Sequence, residues 1–303
     1  MSGKIHPWYI TGFTNADGCF SIHVEKSKAS KYGYRLKPLF TLTQHEKSKE
    51  TLHDIQNYFK CGKCLPQHKN CINYTVSGKV DLYTSVIPHF KKYPLQSQKY
   101  RQYTQWVNIV KRLEKREHWT PQGFVDIIGE LRETSQKRVP KLQFIIDSMY
   151  TCFGVKPLER KIDFVNKLEQ SSGLKPEFIS GFIDGDGCFC ISQRKTGRVD
   201  VCFSIVAVRE NLPLLLQLKK YFGKDNVYDV SEKTSRYMIL LYQNGTMIWK
   251  ASVLLHVFEH HFMMFPLRTE KRHDWNRVLT RCRNMCDVSK KRYKPTKNNE
   301  LKV

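Results

Sequence analysis

A sixteen-residue segment occurs twice in the chain. Residues 7–22 read PWYITGFTNADGCFSI and residues 176–191 read PEFISGFIDGDGCFCI, with nine identical positions. Shorter matching segments follow in the same order: YF at 58–59 matches YF at 221–222, and YPL at 93–95 matches FPL at 265–267. Self-similarity at a fixed offset is the signature of a duplicated structural unit. The repeat therefore predicts a chain built from two similar halves.

The chain is long enough for this organisation. With 303 residues, 40% of them apolar and 12% aromatic, each half can bury its own core, and a disordered chain is excluded. We expect an N-terminal half over residues 1–150, a linker over 151–173, a C-terminal half over 174–288 and a basic disordered tail over 289–303.

Each half reads as an α+β unit. Apolar and polar residues alternate over 19–25 and 34–43, which predicts two antiparallel strands. Helical spacing of apolar residues predicts helices over 50–59, 100–113 and 214–222, and a Thr-Pro pair opens another over 121–131. Helices covering one face of an antiparallel sheet are therefore expected in both halves.

The charge of the chain points to a polyanionic partner. Lys and Arg number 51 against 28 Asp and Glu, a net charge of +23, so nucleic acid is the first candidate and an anionic membrane surface the alternative. No run approaches the roughly eighteen apolar residues of a membrane span, and the basic tail lacks an apolar face. We expect no membrane association and read no targeting signal in the first residues.

Ten cysteines could form disulfides or bind zinc. Five of them have apolar or β-type neighbours and are expected to be reduced packing residues; they are Cys19, Cys152, Cys188, Cys190 and Cys202. The group closest to a metal-binding pattern is Cys61, Cys64 and Cys71, but no second Cys-x-x-Cys or His pair follows at zinc-finger spacing. Zinc is therefore not expected, although these residues could bind something else. Gly62 and Lys63 are predicted to form a hairpin turn.

Each copy of the repeat reads as a short helix with a ridge of small residues. A proline suits the first turn, and Gly18 and Gly187 stand where a left-handed residue often ends a helix. Small residues lie four apart on one face of each helix and allow close backbone approach; they are Gly12 and Ala16, and Gly181 and Gly185. We expect the two helices to pack on each other as the centre of a pseudo-dimer.

Asp17 and Asp186 would then come close together at two helix C-termini. The helix dipole disfavours negative charge there, and the two carboxylates repel each other. Divalent cations between them would account for the placement, because Mg²⁺ prefers oxygen ligands and commonly takes one or two carboxylates together with phosphate oxygens. Asp-Gly is otherwise only a helix-stop signal, but its duplication favours metal-assisted phosphodiester hydrolysis.

The segments ITGFTNADG at 10–18 and ISGFIDGDG at 179–187 resemble the two motifs of the single-chain LAGLIDADG homing endonucleases. The resemblance implies two pseudo-symmetric αββαββα-type halves, joined at the motif helices into a saddle of two antiparallel sheets over DNA. It implies a monomer that uses Mg²⁺ to cut both strands of a long asymmetric site, leaving short 3′ overhangs. An intron-encoded gene in a mitochondrion or chloroplast is expected from the same resemblance.

The resemblance also assigns roles to individual residues. It implies that Asp17 and Asp186 bind the metal ions, helped by the backbone carbonyls of Ala16 and Gly185. It further implies a polar residue that orders water and basic residues near the scissile phosphates; the matching positions are Gln44, Lys99 and Lys271, with Gln96 and Arg268 as alternatives to the lysines.

The repeat is asymmetric at the position of Gln44, where the second half has Ala207. One DNA strand is therefore expected to be cut more slowly, unless Arg209 or another residue substitutes.

DNA recognition should come from the strand face opposite the apolar residues. Such side chains can read base edges or contact phosphates. The candidates are Ser21, His23, Glu25, Arg35, Lys37, Leu39, Thr41, Ser192, Arg194, Asp200 and Ser204.

Two other functions are compatible with the same scaffold. One is an RNA maturase that assists splicing of its group I intron, with intron RNA as a partner, and the other is a DNA-binding protein that does not cleave. Retention of both acids favours cleavage. The target sequence and the host element stay open at this point.

Overall fold

The same order of helices and strands occurs twice in the computed structural model. The structure describes residues 4–134, 139–158, 173–193, 195, 199–222, 226–231, 234–241 and 255–292. Both halves run helix, two strands, helix, two strands and helices, as the repeat predicts.

The first half begins with the helix of the first motif and continues through a four-stranded sheet. Its elements are α1 (Pro7–Asp17), β1 (Gly18–Lys26), β2 (Tyr34–His45), α2 (Lys49–Phe59), β3 (Lys63–Gln67), β4 (Cys71–Val76), α3 (Lys79–Asp81), a π-helical turn (Leu82–Val86), α4 (Ile87–Lys92) and α5 (Ser97–Glu114). Two further helices follow, α6 (Pro121–Thr134) and α7 (Val139–Phe153).

The second half repeats this order from the helix of the second motif onwards. Its elements are α8 (Pro176–Asp186), β5 (Gly187–Gln193), β6 (Val199–Val208), α9 (Leu212–Phe222), β7 (Asn226–Ser231), β8 (Thr234–Leu241), a π-helical turn (Leu255–Glu259), α10 (His260–Met264) and α11 (Lys271–Arg292).

The two sheets share one topology. Their strand orders are β1-β2-β4-β3 and β5-β6-β8-β7, and every pairing with a determined register is antiparallel. One face of each sheet is covered by apolar side chains, with Phe40 and Phe90 fully buried in the first half and Phe203 and Phe258 in the second. The predicted α+β class with two similar halves is confirmed.

The helices α1 and α8 pack directly on each other. A Cβ atom built at Gly12 would overlap the carbonyl oxygen of Phe178, and one built at Gly181 would overlap that of Tyr9. Only glycine fits at such backbone contacts, so the predicted packing of the two small-residue ridges is confirmed.

The described residues group into two compact units. One takes them from Met1–Asp17, His45–Ile55 and Ser172–Val303, and the other from Gly18–Gln44 and Gln56–Ser171. The helix α1 therefore belongs with the second half of the chain, because it packs on α8. The domain boundaries expected from the sequence stay a prediction, and most of the expected linker, 159–172, lies outside the described residues.

Three local expectations need correction. Gly187 is extended, with φ −69° and ψ 149°, and Gly18 has no positive φ, so neither motif helix ends in a left-handed glycine. Each helix passes straight into its strand, and at Gly187 a Cβ would lie 2.6 Å from the carbonyl oxygen of Ile183. Glycine is needed there for space.

The predicted hairpin turn at Gly62 and Lys63 joins α2 to β3 instead. The β3–β4 hairpin turns at residues 68–70, where Lys69 and Asn70 adopt positive φ. At the other end of the chain, α11 continues to Arg292, so residues 289–292 of the expected tail are helical, and 293–303 lie outside the described residues.

Candidate active site

Asp17 and Asp186 are the last residues of the two packed helices. A Cβ atom built at Gly185 would lie 3.1 Å from Oδ2 of Asp17 and would overlap the side chain of Ala16. The carboxylate of Asp17 therefore lies beside Gly185 at the end of α8, and Gly185 directly precedes Asp186. The structure brings the two acids together at one end of the helix pair, as the repeat predicts.

The amine of Lys271 lies among these acids. Lys271 is the first residue of α11, and its Nζ donates to the carbonyl oxygen of Gly185 and, at 3.4 Å, to that of Ile183. Burial lowers the pKa of Lys271, while the charges of Asp17, Asp184 and Asp186 raise it. The amine of Lys271 is thus held at the end of α8, at the residue that precedes the second motif acid.

Lys99 makes a related contact in the first half. Its Nζ donates to the carbonyl oxygen of Gly18 at 2.5 Å, and Gly18 follows Asp17 directly in the chain. Lys271, by contrast, contacts Gly185, which precedes the motif acid. The two lysines therefore meet their motifs on opposite sides of the acid.

The strand register supports the equivalence of Gln44 and Ala207. Leu42 pairs with Gly18, and Ile205 pairs with Gly187, so Gln44 and Ala207 each lie two residues beyond the partner of a motif glycine. Gln44 is half-buried and polar, whereas Ala207 is buried and carries no polar group. The asymmetry in the sequence is thus present at equivalent places in the two sheets.

A buried carboxylate that the sequence did not single out for function lies behind the acids. Asp184 is 1% exposed and accepts four hydrogen bonds. The donors are the hydroxyl of Tyr9 at 2.5 Å, the backbone N–H of Arg268 at 2.6 Å, the backbone N–H of Thr269 at 3.3 Å and the hydroxyl of Thr269 at 2.5 Å. Burial raises the pKa of Asp184, and these donors oppose that shift.

Asp184 therefore ties α8 to α1 and to the segment that leads into α11. The sequence does show that the two repeats differ at this position, where the first repeat has Asn15. That difference alone does not identify the residues that donate to Asp184.

The two alternatives to the lysines are engaged elsewhere. Nη1 of Arg268 contacts a carboxylate oxygen of Asp54 at 2.8 Å, and the guanidinium lies 5.8 Å from the ring centre of Tyr9. Gln96 is buried, 9% exposed, and its amide lies 3.5 Å from the carbonyl oxygen of Pro94. These contacts favour Lys99 and Lys271 as the basic residues of the site.

The polar face of the first sheet carries the predicted recognition residues. The register of β1 and β2 places six of them directly opposite one another, as Ser21 with Leu39, His23 with Lys37, and Glu25 with Arg35. The seventh, Thr41, pairs with Cys19. Arg35 Nη2 contacts Glu25 Oε2 at 2.6 Å, and this contact lowers the pKa of the glutamate. Leu39 differs from the other candidates because it is buried, with only 7% of its surface exposed.

Strand β4 adds residues that the sequence analysis did not include. Ile72, Tyr74 and Val76 are buried, and the alternating Asn73 and Thr75 are partly exposed. The hydroxyl of Thr75 lies 3.4 Å from that of Thr41, which places both on the polar face. The six-residue alternation of β4 is short, which is why it did not stand out in the sequence.

In the second sheet the register pairs the candidates across β5 and β6. Ser204 pairs with Cys188, and the backbones of Ser192 and Asp200 pair with each other. Arg194 lies outside the described residues.

Among the described residues, no group of three or more His, Cys, Asp or Glu side chains could hold a metal ion. The motif acids are thus a pair of carboxylates with oxygen donors only, rather than a complete protein cage. Among the described helices, none combines the length and apolar character that crossing a bilayer requires.

Comparison with known sequences gives one family. The family model described as LAGLIDADG endonuclease matches residues 10–110 and 179–280. A probable intron-encoded DNA endonuclease of Mycosarcoma maydis is 29% identical over 237 residues, which are 77% of this chain and 86% of that protein. A probable intron-encoded endonuclease of Neurospora crassa is 26% identical over 240 residues, and the match covers 43% of that protein.

Solved structures share the fold. The meganuclease I-SmaMI bound to DNA superposes with a TM-score of 0.79 at 20% identity, covering 95% of this chain and 92% of that one. The LAGLIDADG meganuclease I-CpaMI bound to uncleaved DNA superposes with a TM-score of 0.73 at 24% identity, with the same coverage. At these identities the likeness establishes the fold.

Proposed function

Because this chain belongs to the LAGLIDADG endonuclease family, we propose that it is a homing endonuclease that cleaves both strands of a long, asymmetric double-stranded DNA site. The products would carry short 3′ overhangs. The observation that carries the proposal is the pair of motif acids, Asp17 and Asp186, at the adjoining ends of two helices packed backbone to backbone. Two acids from two repeats match two strands to be cut.

The same acids fit a hard divalent cation. They offer only oxygen donors, and the backbone carbonyl of Ala16 and that of Gly185 add two more. The carbonyl of Gly185 also accepts a hydrogen bond from Lys271. Mg²⁺ commonly takes one or two carboxylates and fills its remaining positions with water and phosphate oxygens. When bound, it would supply an activated water and stabilise charge on the scissile phosphate.

The remaining site residues would orient water and neutralise charge on the scissile phosphates. We assign Lys99 and Lys271 to the scissile phosphates, where their cations would offset developing negative charge. Their hydrogen bonds to motif carbonyls hold the two amines beside the motifs in advance. Gln44 would orient water at one strand, and Ala207 cannot do so at the other.

The polar faces of the sheets would bind DNA. The net charge of +23 supplies the attraction to phosphates, and alternating side chains on β1, β2, β5 and β6 supply base contacts. We include the partly exposed residues of β4 and leave out Leu39, because it is buried. One chain contains both motif helices, so the protein would act as a monomer with internal pseudo-twofold symmetry.

The relatives suggest the origin of the gene. Several are named as intron-encoded, and one from Podospora anserina, 32% identical over 118 residues, is named for an ND4 intron. We propose that this chain is likewise encoded in an organellar intron, with a mitochondrion as the favoured compartment.

The first test is selection of cut sites from a double-stranded DNA library with Mg²⁺. We expect discrete sites with short 3′ overhangs, and loss of at least about 100-fold in cleavage, roughly 2.7 kcal/mol of barrier, for Asp17→Asn and for Asp186→Asn. Ca²⁺ in place of Mg²⁺ should allow binding without cutting.

Asp147→Asn serves as the matched control, because Asp147 is an exposed acid on α7, outside both repeated segments of the sequence. It should cleave like the unmodified protein. Specific DNA binding without any cutting would contradict the proposal and favour a binding protein, and splicing assistance by the uncleaving protein would favour the maturase.

A further inference from the structure

Two cysteines face each other across the first two strands of the second sheet. Cys190 on β5 pairs directly with Cys202 on β6 in the antiparallel register. Both side chains are partly exposed, whereas Phe189, Val201 and Phe203 beside them are buried. Since side chains alternate between the faces of a strand, the two thiols lie on the polar face, so the expectation that these two cysteines pack in the core is wrong.

The pairing geometry is compatible with a covalent bond. Directly opposite residues in an antiparallel pair have Cα atoms about 4.5 or 5.5 Å apart, depending on the hydrogen-bonding position. Disulfides form at Cα separations of about 4.4–6.8 Å. Both positions therefore fall within the required range without movement of the backbone.

A third cysteine on the same face provides a contrast. Cys188 is exposed and pairs with Ser204, so it is diagonal to Cys202. Diagonal neighbours in a sheet are about 7–8 Å apart, which is beyond the separation that a disulfide bridges. The register thus selects Cys190 as the disulfide partner of Cys202, and it places a serine rather than a cysteine opposite Cys188.

We propose that Cys190 and Cys202 form a reversible cross-strand disulfide, which makes the polar face of the second sheet a site of oxidative modification. With oxidised glutathione as the oxidant, the thiolate of one cysteine attacks a glutathione sulfur, forms a mixed disulfide and releases one reduced glutathione. The second thiolate then attacks the cysteine sulfur and releases the other glutathione. The two cysteine protons pass to the two glutathione thiolates, so atoms and electrons balance.

The consequence for DNA rests on the proposed function. Cys190 and Cys202 lie between the register pairs Ser204–Cys188 and Ser192–Asp200, which contain three of the predicted recognition residues, Ser192, Asp200 and Ser204. A disulfide there removes two thiol groups from the recognition face and fixes β5 to β6 through their side chains. The oxidised protein would bind its DNA site more weakly than the reduced protein.

Peptide mapping tests the disulfide without DNA. In a Cys188→Ser background, trypsin separates Cys190 from Cys202, because it cuts after Arg194, Arg198 and Arg209. After equilibration of the full chain with oxidised glutathione, we expect a linked peptide pair that dithiothreitol separates. Adding Cys190→Ser or Cys202→Ser should abolish the pair. Recovery of both cysteines as thiols or as separate glutathione adducts would overturn the proposal.

Binding to the selected DNA site with Ca²⁺ tests the consequence. Oxidation should weaken binding about tenfold, the loss expected for one good base contact, and dithiothreitol should restore it. In a Cys188→Ser background, the Cys190→Ser/Cys202→Ser protein, which can form neither the disulfide nor a mixed disulfide on this face, should not respond to oxidation in this way. Equal binding by the linked and reduced proteins would overturn the effect on DNA. If neither form binds DNA, the proposed function fails, and the peptide map still decides the disulfide.

Discussion

At the scale of single residues, the two halves differ where the chemistry would take place. Gln44 and Ala207 occupy equivalent register positions, yet only the first carries a polar group. Lys99 contacts the residue after its motif acid, and Lys271 contacts the residue before its own. The two strands of a bound DNA would thus meet two different sets of side chains.

We expect the two DNA strands to be cut at unequal rates. Replacing Gln44 with Ala should slow only the faster strand, by about 10- to 100-fold, because a water left unoriented costs roughly that much. Time courses with each strand end-labelled measure both rates. The exposed Gln102→Ala on α5 is the control, and a Gln44→Ala protein in which both strands slow equally would contradict the assignment.

Asp184 is a second residue-scale test, this time of stability. Asp184→Asn replaces an acceptor that meets four donors with an amide that brings its own N–H groups among them. We expect the free energy of unfolding to fall by about 3 kcal/mol in urea titrations. Thr269→Val, which removes one of the donors, should lose about 1 kcal/mol. Equal losses from the two variants would argue against a carboxylate shared by four donors.

At the scale of elements, the helix pair α1 and α8 shows how far the sequence leads. Glycines and alanine at four-residue spacing predicted a close crossing of two helices, and the contacts of Gly12 and Gly181 confirm it. Local patterns also predicted β1, β2, α2, α5, α6 and α9 within a few residues of their bounds.

Other features could not be predicted from the same patterns. The partners of Asp184 come from segments more than eighty residues before or after it, and no local spacing specifies contacts at such a distance. The hairpin turn at Lys69 and Asn70 uses positive φ without any glycine, so its sequence carries a weak turn signal. Gly187 was read as a conformational signal, whereas the space around it is what requires glycine.

Gly12→Ala tests the helix crossing. The added methyl would overlap the backbone of Phe178, and backbone cannot rotate away as a side chain can. We expect a loss of at least about 3 kcal/mol in the free energy of unfolding, measured by urea denaturation, together with loss of cleavage. Gly33→Ala is the matched control, because it has φ +75° and open space around it. Alanine at that positive φ should lower the free energy of unfolding by about 1 kcal/mol. An equal loss in Gly12→Ala and Gly33→Ala would contradict the close crossing.

At the scale of the whole molecule, the duplication extends to a pair of buried histidines. A nitrogen of His89 lies 3.0 Å from the hydroxyl of Tyr58, and one of His261 lies 3.0 Å from that of Tyr221. Burial lowers the pKa of His89 to about 3 and that of His261 to about 4. Both are therefore neutral in the folded protein at neutral pH, whereas an unfolded chain binds these protons near pH 6.5.

Acid should destabilise the protein through these histidines. Because the folded-state pKa values are lowered, the unfolded chain takes up protons first, so the stability present above pH 6.5 falls as the pH drops towards the folded values. Protonation of each of these histidines in the unfolded chain should lower the free energy of unfolding by about 2 kcal/mol between pH 7 and pH 5. In urea titrations, His261→Gln should lose about 2 kcal/mol less free energy of unfolding between pH 7 and pH 5 than the unmodified protein. The control His53→Gln, which replaces an exposed histidine, should lose as much as the unmodified protein. An unchanged pH dependence in His261→Gln would contradict the expectation.

The packing of α1 on α8 also has a consequence for synthesis. Ribosomes complete α1 about 160 residues before α8 emerges, and at about 5–20 residues per second this interval is on the order of ten seconds. During that time the face of α1 at Gly12, which lies against the backbone of Phe178 in the finished protein, has no partner helix. The helix crossing can therefore form only after the second motif has been translated, so a chain released before residue 176 would keep this face of α1 uncovered.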